Sequence, residues 1–203
     1  MFQVRFHGRG GQGVVTAADL LALAAFEDGL FAQAFPSFGS ERTGAPVVSY
    51  CRLGHQVIRT RAPVVEPDAL VVLDPTLVHQ VELFSGLRSE GYVLVNTTRT
   101  LDELGLAALA DGRPSDRLAT VPATELARCK IGRPLANAAI LGSFAALTER
   151  VSIGAITSAI RDRFQAEPEL AEVNVVTAIE AFMHVRRGRG MPLQELVSGA
   201  DSN

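Results

Sequence analysis

Residues 6–26, FHGRGGQGVVTAADLLALAAF, decide the fold. The stretch leaves an apolar segment at residues 2–6 and passes through Gly8-Arg9-Gly10-Gly11-Gln12-Gly13. It then continues as apolar, alanine-rich sequence without proline to Phe26. Residues 2–6 read as a buried strand and 11–26 as a helix that starts at the glycines. The spacing is G-x-G-x-x-G, and a glycine turn at such a junction lets backbone N–H groups approach a phosphate while the helix dipole favours its charge. Spacing alone leaves three readings open: a dinucleotide, another phosphate-bearing ligand, or a tight turn that serves only the chain.

A dinucleotide site needs a second half, an acidic residue about 20 positions further on, at the end of the second strand, to hold the ribose hydroxyls. Here that strand, residues 30–36, ends in Ala34-Phe35-Pro36. Glu27 and Asp28 precede the strand and so fall at its wrong end, and no Arg stands where a 2′-phosphate would be read. NAD(P) binding therefore lacks half of its equipment.

Working outward, PVVSYCRL and QVIRTRA flank Gly54-His55, a two-residue turn signal for a hairpin. DALVVLD (68–74) reads as a strand followed by a helical pattern to about Leu87, and YVLVNTT (92–98) as another strand with a short helix after it. RLATVPA supplies one further strand, and from Pro134 the pattern is helical in segments near 134–149, 153–165 and 168–187. Strands alternating with helices predict an α/β protein: a three-layer, Rossmann-like, mostly parallel sheet covered on both faces, with an antiparallel hairpin and C-terminal helices. The expected organisation is one domain over 1–187 and a loosely held tail over 188–203. Helix 134–149 is apolar nearly all round, with Ala136, Ala138, Ala139, Gly142, Ala145 and Ala146, so it is expected to be buried against the sheet and against another chain.

Of 203 residues, 47% are hydrophobic and 20% charged, enough for a proper core and against disorder. A net charge of −3 gives no general attraction to nucleic acid or anionic lipid. No apolar run approaches the roughly 20 residues of a membrane span, and Met1 leads directly into the first strand without a signal-like segment. The expectation is a soluble, cytoplasmic protein. Cys51 and Cys129 lie far apart with no C-x-x-C, which excludes a self-contained iron–sulfur or cysteine zinc site and reads as packed thiols in a reducing compartment. His7, His55, His79 and His184 are scattered and form no H-x-x-x-H pair.

Four further groups of residues invite a functional reading beside a plain one. Asp74, Asn96, Thr97 and Thr98 fall at carboxyl ends of strands, where open sheets bind ligands and where turns and caps also want these residues. In PSFGSERTGAP, Ser40, Glu41, Arg42 and Thr43 lie between glycines; Arg42 could clamp phosphate or carboxylate, or the segment is a solvated loop. His7 either lines a site or packs at its strand end. The basic run Arg186 to Gly190 suits the end of a helix, with cations against the dipole and glycine at the cap.

Five of these segments occur together and in order: GRGGQGVVTAADLLA, PSFGSERTGAPVVSYCRL, DALVVLDPTL, YVLVNTT and RPLANAAILGSFAAL. Together they resemble the gamma subunit, or gamma domain, of the 2-oxoacid:ferredoxin oxidoreductases of the pyruvate, 2-oxoisovalerate and phenylglyoxylate type, a resemblance that runs on through EVNVVTAIEAF and covers about Phe2 to Phe182. The family loop often reads Arg-Gly-Gly after its Glu, whereas here Arg42 is followed by Thr43-Gly44-Ala45. The resemblance implies a multi-subunit enzyme that oxidatively decarboxylates a 2-oxoacid to an acyl-coenzyme A. Thiamine diphosphate with Mg and the iron–sulfur clusters then reside on alpha, beta and ferredoxin-like delta-type partner subunits, with ferredoxin or another acceptor taking the electrons. No cofactor is bound by this chain alone and no residue of it is catalytic. Gly8, Gly10, Gly11, Gln12 and Gly13, with Glu41 and Arg42, are implied to line a coenzyme A approach or the seam with the thiamine-binding subunit. The alternatives are a stand-alone NAD(P)-dependent oxidoreductase and a non-enzymatic nucleotide-binding module.

Overall fold

A computed structural model describes residues 1–37 and 44–190. Its sheet has six strands: β1 (Phe2–Arg9), β2 (Phe31–Pro36), β3 (Pro46–Gly54), β4 (Ala69–Val72), β5 (Tyr92–Asn96) and β6 (Leu118–Val121), in the spatial order β2-β3-β1-β4-β5-β6. β1, β4, β5 and β6 pair in parallel, while β3 lies antiparallel between β1 and β2. Five strands thus point one way and β3 alone points back, so the sheet is mixed at one side. The antiparallel hairpin is β2–β3, not the one expected around Gly54-His55. Both edges of β3 are already occupied, leaving residues 56–62 no strand to pair with, and among the described residues they form none.

One face carries the helices α1 (Val14–Glu27), α3 (Ala123–Ile131), α4 (Asn137–Thr148), α5 (Ile153–Arg163) and α6 (Pro168–Gly188). α1 begins directly after the glycines, and its run of small and straight-chain residues loses little side-chain freedom in a helix. It stops in a Schellman arrangement, with Gly29 at φ 74 and the Leu30 N–H on Ala25 O (2.9 Å). α3 was not foreseen; Pro122 ends the strand reading of RLATVPA, and the Thr124 N–H is capped by Asn96 Oδ1 (3.0 Å). In α4 every residue after Asn137 is buried. A Cβ on Gly142 would lie 2.0 Å from Ala178 O, so the small residues admit α6 of the same chain, and no open face remains for the second chain expected there.

The second face is thinner. Leu70, Val72, Val93 and Val95 pack with Leu77, Leu83 and Leu104 from a 3-10 turn (Pro75–His79), irregular segments and the short α2 (Ala107–Ala110). The helical pattern expected to Leu87 stops at His79. Under β1 and β3 the layer is loop, pinned by two buried arginines. Arg5 donates to the carbonyls of Leu83 (2.7 Å), Ser85 (2.7 Å), Val64 and Val65 (3.4 Å each), and Arg52 to those of Ala62 (2.6 Å) and Thr60 (3.2 Å). Cys51 is buried as expected, and its burial pushes the thiol pKa up; Cys129 is exposed rather than packed. No helix among the described residues is long and apolar enough to cross a membrane.

Candidate functional site

β1 delivers the glycine turn to the carboxyl edge of the sheet. On one side of β1 the sheet continues into β4 and on the other into β3 and β2, so the turn sits where the strand order changes direction, the place where open α/β sheets hold ligands. The glycines have separate reasons. Gly8 lets α1 approach the strand, since a Cβ there would meet Val14 Cγ2 at 2.6 Å. Gly13, at φ 73, packs on the start of α4, where a Cβ would come 2.4 Å from Asn137 Nδ2. Gly11, at φ 93, faces open space, with nothing within 4 Å of a would-be Cβ.

The turn is closed by the Gln12 N–H on Arg9 O (3.0 Å), and Gly10 is tied to the far side by its N–H on Ala45 O (2.9 Å) and by the Gly44 N–H on Gly10 O (3.3 Å). The N–H groups of Gly11 and Gly13 bond no described residue. Neither α1 nor α4 has a side-chain N-cap, so the orphan donors of two helix starts meet at one open cleft of about 590 Å³. Gly10, Gly11, Gly13, Asn137 and Arg163 are among its lining. Asn137 Oδ1 is enclosed and bonds no described residue, and Arg163 hydrogen-bonds no described residue while its charge acts on the Asp19 carboxylate. Backbone donors, two positive helix ends and a guanidinium suit an anion.

Beneath the turn, Asp74 Oδ2 accepts from Gln12 Nε2 (2.7 Å) and Arg9 Nε (3.1 Å), and its Oδ1 accepts from the Thr76 N–H (2.9 Å) and hydroxyl (2.6 Å). Burial alone would raise its pKa, but the Thr76 and Gln12 hydrogen bonds and the Arg9 charge together hold it below the usual carboxylate range. Gln12 and Gly8 are therefore under the turn rather than in the cleft. Glu41 and Arg42, with Ser40 and Thr43, lie outside the described residues; the bonds at Gly44 and Ala45 fix the base of their loop against the turn. Asn96 caps α3 and bonds Leu73 O (2.8 Å), and Thr97 Oγ1 accepts from the Arg99 N–H (3.1 Å), so these positions serve turns and caps. His7 is buried, and desolvation first and the Arg5 charge second lower its pKa to about 4. In the basic run, Arg189 donates to Ala146 O (2.7 Å) and Leu147 O (3.2 Å), and Arg186 pairs with Glu149 at 2.9 Å; they close the end of α4. Among the described residues no group of three or more His, Cys, Asp or Glu could hold a metal.

Asn137 and Arg163 were not foreseen as site residues. They stand over 120 positions from the glycines, and only the helix expected over 134–149 hinted at a second N-terminus there. The structure also explains the missing ribose acid. β3 lies between β1 and β2, and Asp28 at the opposite end of α1 is held by the Ser152 N–H (2.5 Å) and hydroxyl (2.7 Å).

These features define a class: an open, mixed α/β domain with an anion-suited glycine turn and without the ribose-reading half of a dinucleotide site. The chain belongs to the pyruvate ferredoxin/flavodoxin oxidoreductase family, whose sequence profile matches residues 3–183, and within it to the gamma subunits of 2-oxoacid:ferredoxin oxidoreductases. It is 47% identical over 182 residues to the pyruvate/ketoisovalerate oxidoreductases common subunit gamma of Pyrococcus abyssi, covering 90% of this chain and 96% of that one. It is 46% identical to pyruvate synthase subunit PorC of Methanothermobacter marburgensis, over 81% of this chain and 87% of that one. The crystal structure of pyruvate oxidoreductase subunit PORC from Thermotoga maritima superposes with a TM-score of 0.74 at 32% identity, over 90% and 95% of the two chains. A 2-oxoglutarate:ferredoxin oxidoreductase from Magnetococcus marinus, 16% identical, shares the fold alone (TM-score 0.67); there it forms 31% of a longer chain.

Proposed function

We propose that this chain is the accessory gamma subunit of a complex that oxidatively decarboxylates a 2-oxoacid to an acyl-coenzyme A, and that it supplies part of the coenzyme A environment and holds the assembly. In this reading it has no activity alone. Thiamine diphosphate, Mg and the iron–sulfur clusters sit on alpha, beta and delta-type partners, because a cluster takes four cysteines and this sequence has two. When bound to those partners the cofactors carry the carbanion and electron chemistry. Free Cys51 and Cys129 fit a reducing cytoplasm.

The observation that carries the reading is the convergence of the Gly11 and Gly13 N–H groups, which bond no described residue, with the uncapped start of α4 and Arg163 on one cleft. Coenzyme A offers a diphosphate and a 3′-phosphate, and needs no acid at a ribose 2′,3′-diol. In the proposal Gly11 and Gly13 bind its diphosphate beside Gly10, Arg163 adds charge, and Glu41 and Arg42 line the coenzyme A approach or the seam with the thiamine-binding subunit. Relatives named as subunits favour this over a stand-alone dehydrogenase.

Gly11→Val tests it: the side chain would meet no atom within 4 Å, while its β-branch is strained at φ 93, so the variant perturbs both the space above the turn and the backbone of the turn itself. In the reconstituted complex, Gly11→Val and Arg42→Ala are expected to raise the KM for coenzyme A about tenfold or more, equivalent to roughly 1.4 kcal/mol. Unchanged KM and unchanged assembly in both variants would refute the assignment.

A further inference from the structure

The side-chain network beneath the glycine turn has a direction to it. Gln12 Oε1 accepts from the Arg9 backbone N–H (2.8 Å) while its Nε2 donates to Asp74 (2.7 Å). Asp74 in turn holds Arg9 Nε, and Arg9 sends Nη1 to Gly44 O (3.0 Å) and Nη2 to Thr76 Oγ1 (2.9 Å) and Gln80 Oε1 (2.6 Å). The chain of bonds therefore starts inside the turn, passes through a buried carboxylate, and ends on the carbonyl at the base of the loop that follows β2. Gly10 bonds the same base through its own backbone. Both polar atoms of the Gln12 amide are used inside the protein, and neither Gln12 nor Asp74 lines the cleft.

We infer that Gln12 and Asp74 are positioning residues that lock the glycine turn and the Gly44 base in one register, so that the Gly11 and Gly13 N–H groups are presented to the phosphates of coenzyme A. The inference rests on the coenzyme A reading above and names what sets the geometry of that site. A glutamine is needed because the position must accept from a backbone N–H and donate to a carboxylate at once, which only an amide of this length does. An aspartate is needed because all four groups that its carboxylate meets, from Gln12, Arg9 and Thr76, are donors.

This polarity makes the inference testable by exchange. Asp74→Asn sets an amide N–H against the Gln12 amide N–H, and Gln12→Glu sets carboxylate against carboxylate. Together they restore one donor–acceptor pair with the total charge unchanged. In the reconstituted complex each single variant is expected to raise the KM for coenzyme A about tenfold with kcat at saturating coenzyme A nearly unchanged, and the double variant, in which Arg9 Nε still faces an amide N–H, to recover part of that loss, with a KM below the product of the two single effects, a non-additivity typical of contacting residues.

Single variants with parental KM, or a double variant as impaired as the product of the two single effects, would overturn the inference. A purely structural role would instead lower the yield and the apparent kcat and leave KM at the parental value, and would overturn it too. If a single exchange does not fold, Gln12→Met, which removes only the hydrogen bonds, carries the same prediction. Gly11→Val separates the layers: raised KM there with parental KM in the Gln12 and Asp74 variants refutes the positioning role alone. Parental KM in all of them refutes the coenzyme A reading beneath it.

Discussion

The two faces of the sheet are built on different principles. Toward the helices, Phe6, Cys51, Val71 and Leu94 meet Ile140, Leu141 and Phe144, and burial of apolar surface suffices because each helix satisfies its own backbone. Toward the loops, the covering chain at residues 60–65 and 83–85 has no ladder of its own, so its carbonyls must be found partners. Arg5 and Arg52 supply them from inside the sheet, with five donors each on a planar fork. Helical layers need only a matching shape, whereas a loop layer needs explicit donors.

The comparison can be broken in four places. Phe144→Ala, at full burial in the helix face, is expected to cost about 3–5 kcal/mol and to lower the whole unfolding transition as one step. Arg5→Ala strips four carbonyls of a donor and is expected to cost about 3 kcal/mol. It should act locally, with hydrogen exchange rising in 57–66 and 80–88 well before the helices; uniform exchange would show the loop layer to be no separate unit.

His7 gives a smaller, pH-dependent effect. Its folded pKa, about 4, lies below the unfolded value near 6.5, so the unfolded chain takes up the proton first. Stability from this residue is complete above about pH 6.5 and is lost as pH falls toward 4; His7→Leu should flatten that limb of the Tm profile. Asp74 acts lower still. Its depressed pKa means its contribution is present above about pH 4 and disappears as pH falls through the folded value, so Asp74→Asn should flatten only the most acidic limb. The Asp74→Asn profile should lie below the parent by a constant offset through neutrality and meet it only in acid; an offset that changes with pH near neutrality would contradict this order.

The helix face could be read from the chain because its information is local: the run after Gly13 is apolar, alanine-rich and free of proline, and the run after Asn137 is apolar nearly all round. The loop face could not, because Arg5 looks like an exposed residue of an alternating strand until Leu83 and Ser85, some 80 positions away, bring their carbonyls to it. The misplaced hairpin has the same origin. Gly54-His55 is a sound local turn signal, but β1 had already taken the edge that a partner strand would use. In the site, the glycines were visible as a motif while Asn137 and Arg163 were not, since only the packing of α4 and α5 against α1 brings them to the turn. Asp74 stood out at a strand end, and its role as the keystone under Gln12 appears only with the side-chain geometry.

The central claim is that this chain works as one part of a cofactor-bearing assembly. The direct measurement is an anaerobic affinity purification of the tagged chain from its native host, with the eluate assayed for iron, thiamine diphosphate and 2-oxoacid-dependent dye reduction. The account predicts co-purifying subunits that carry both cofactors, with reduction that requires coenzyme A. Recovery of the chain alone, without cofactor and without coenzyme A-dependent reduction, would contradict it.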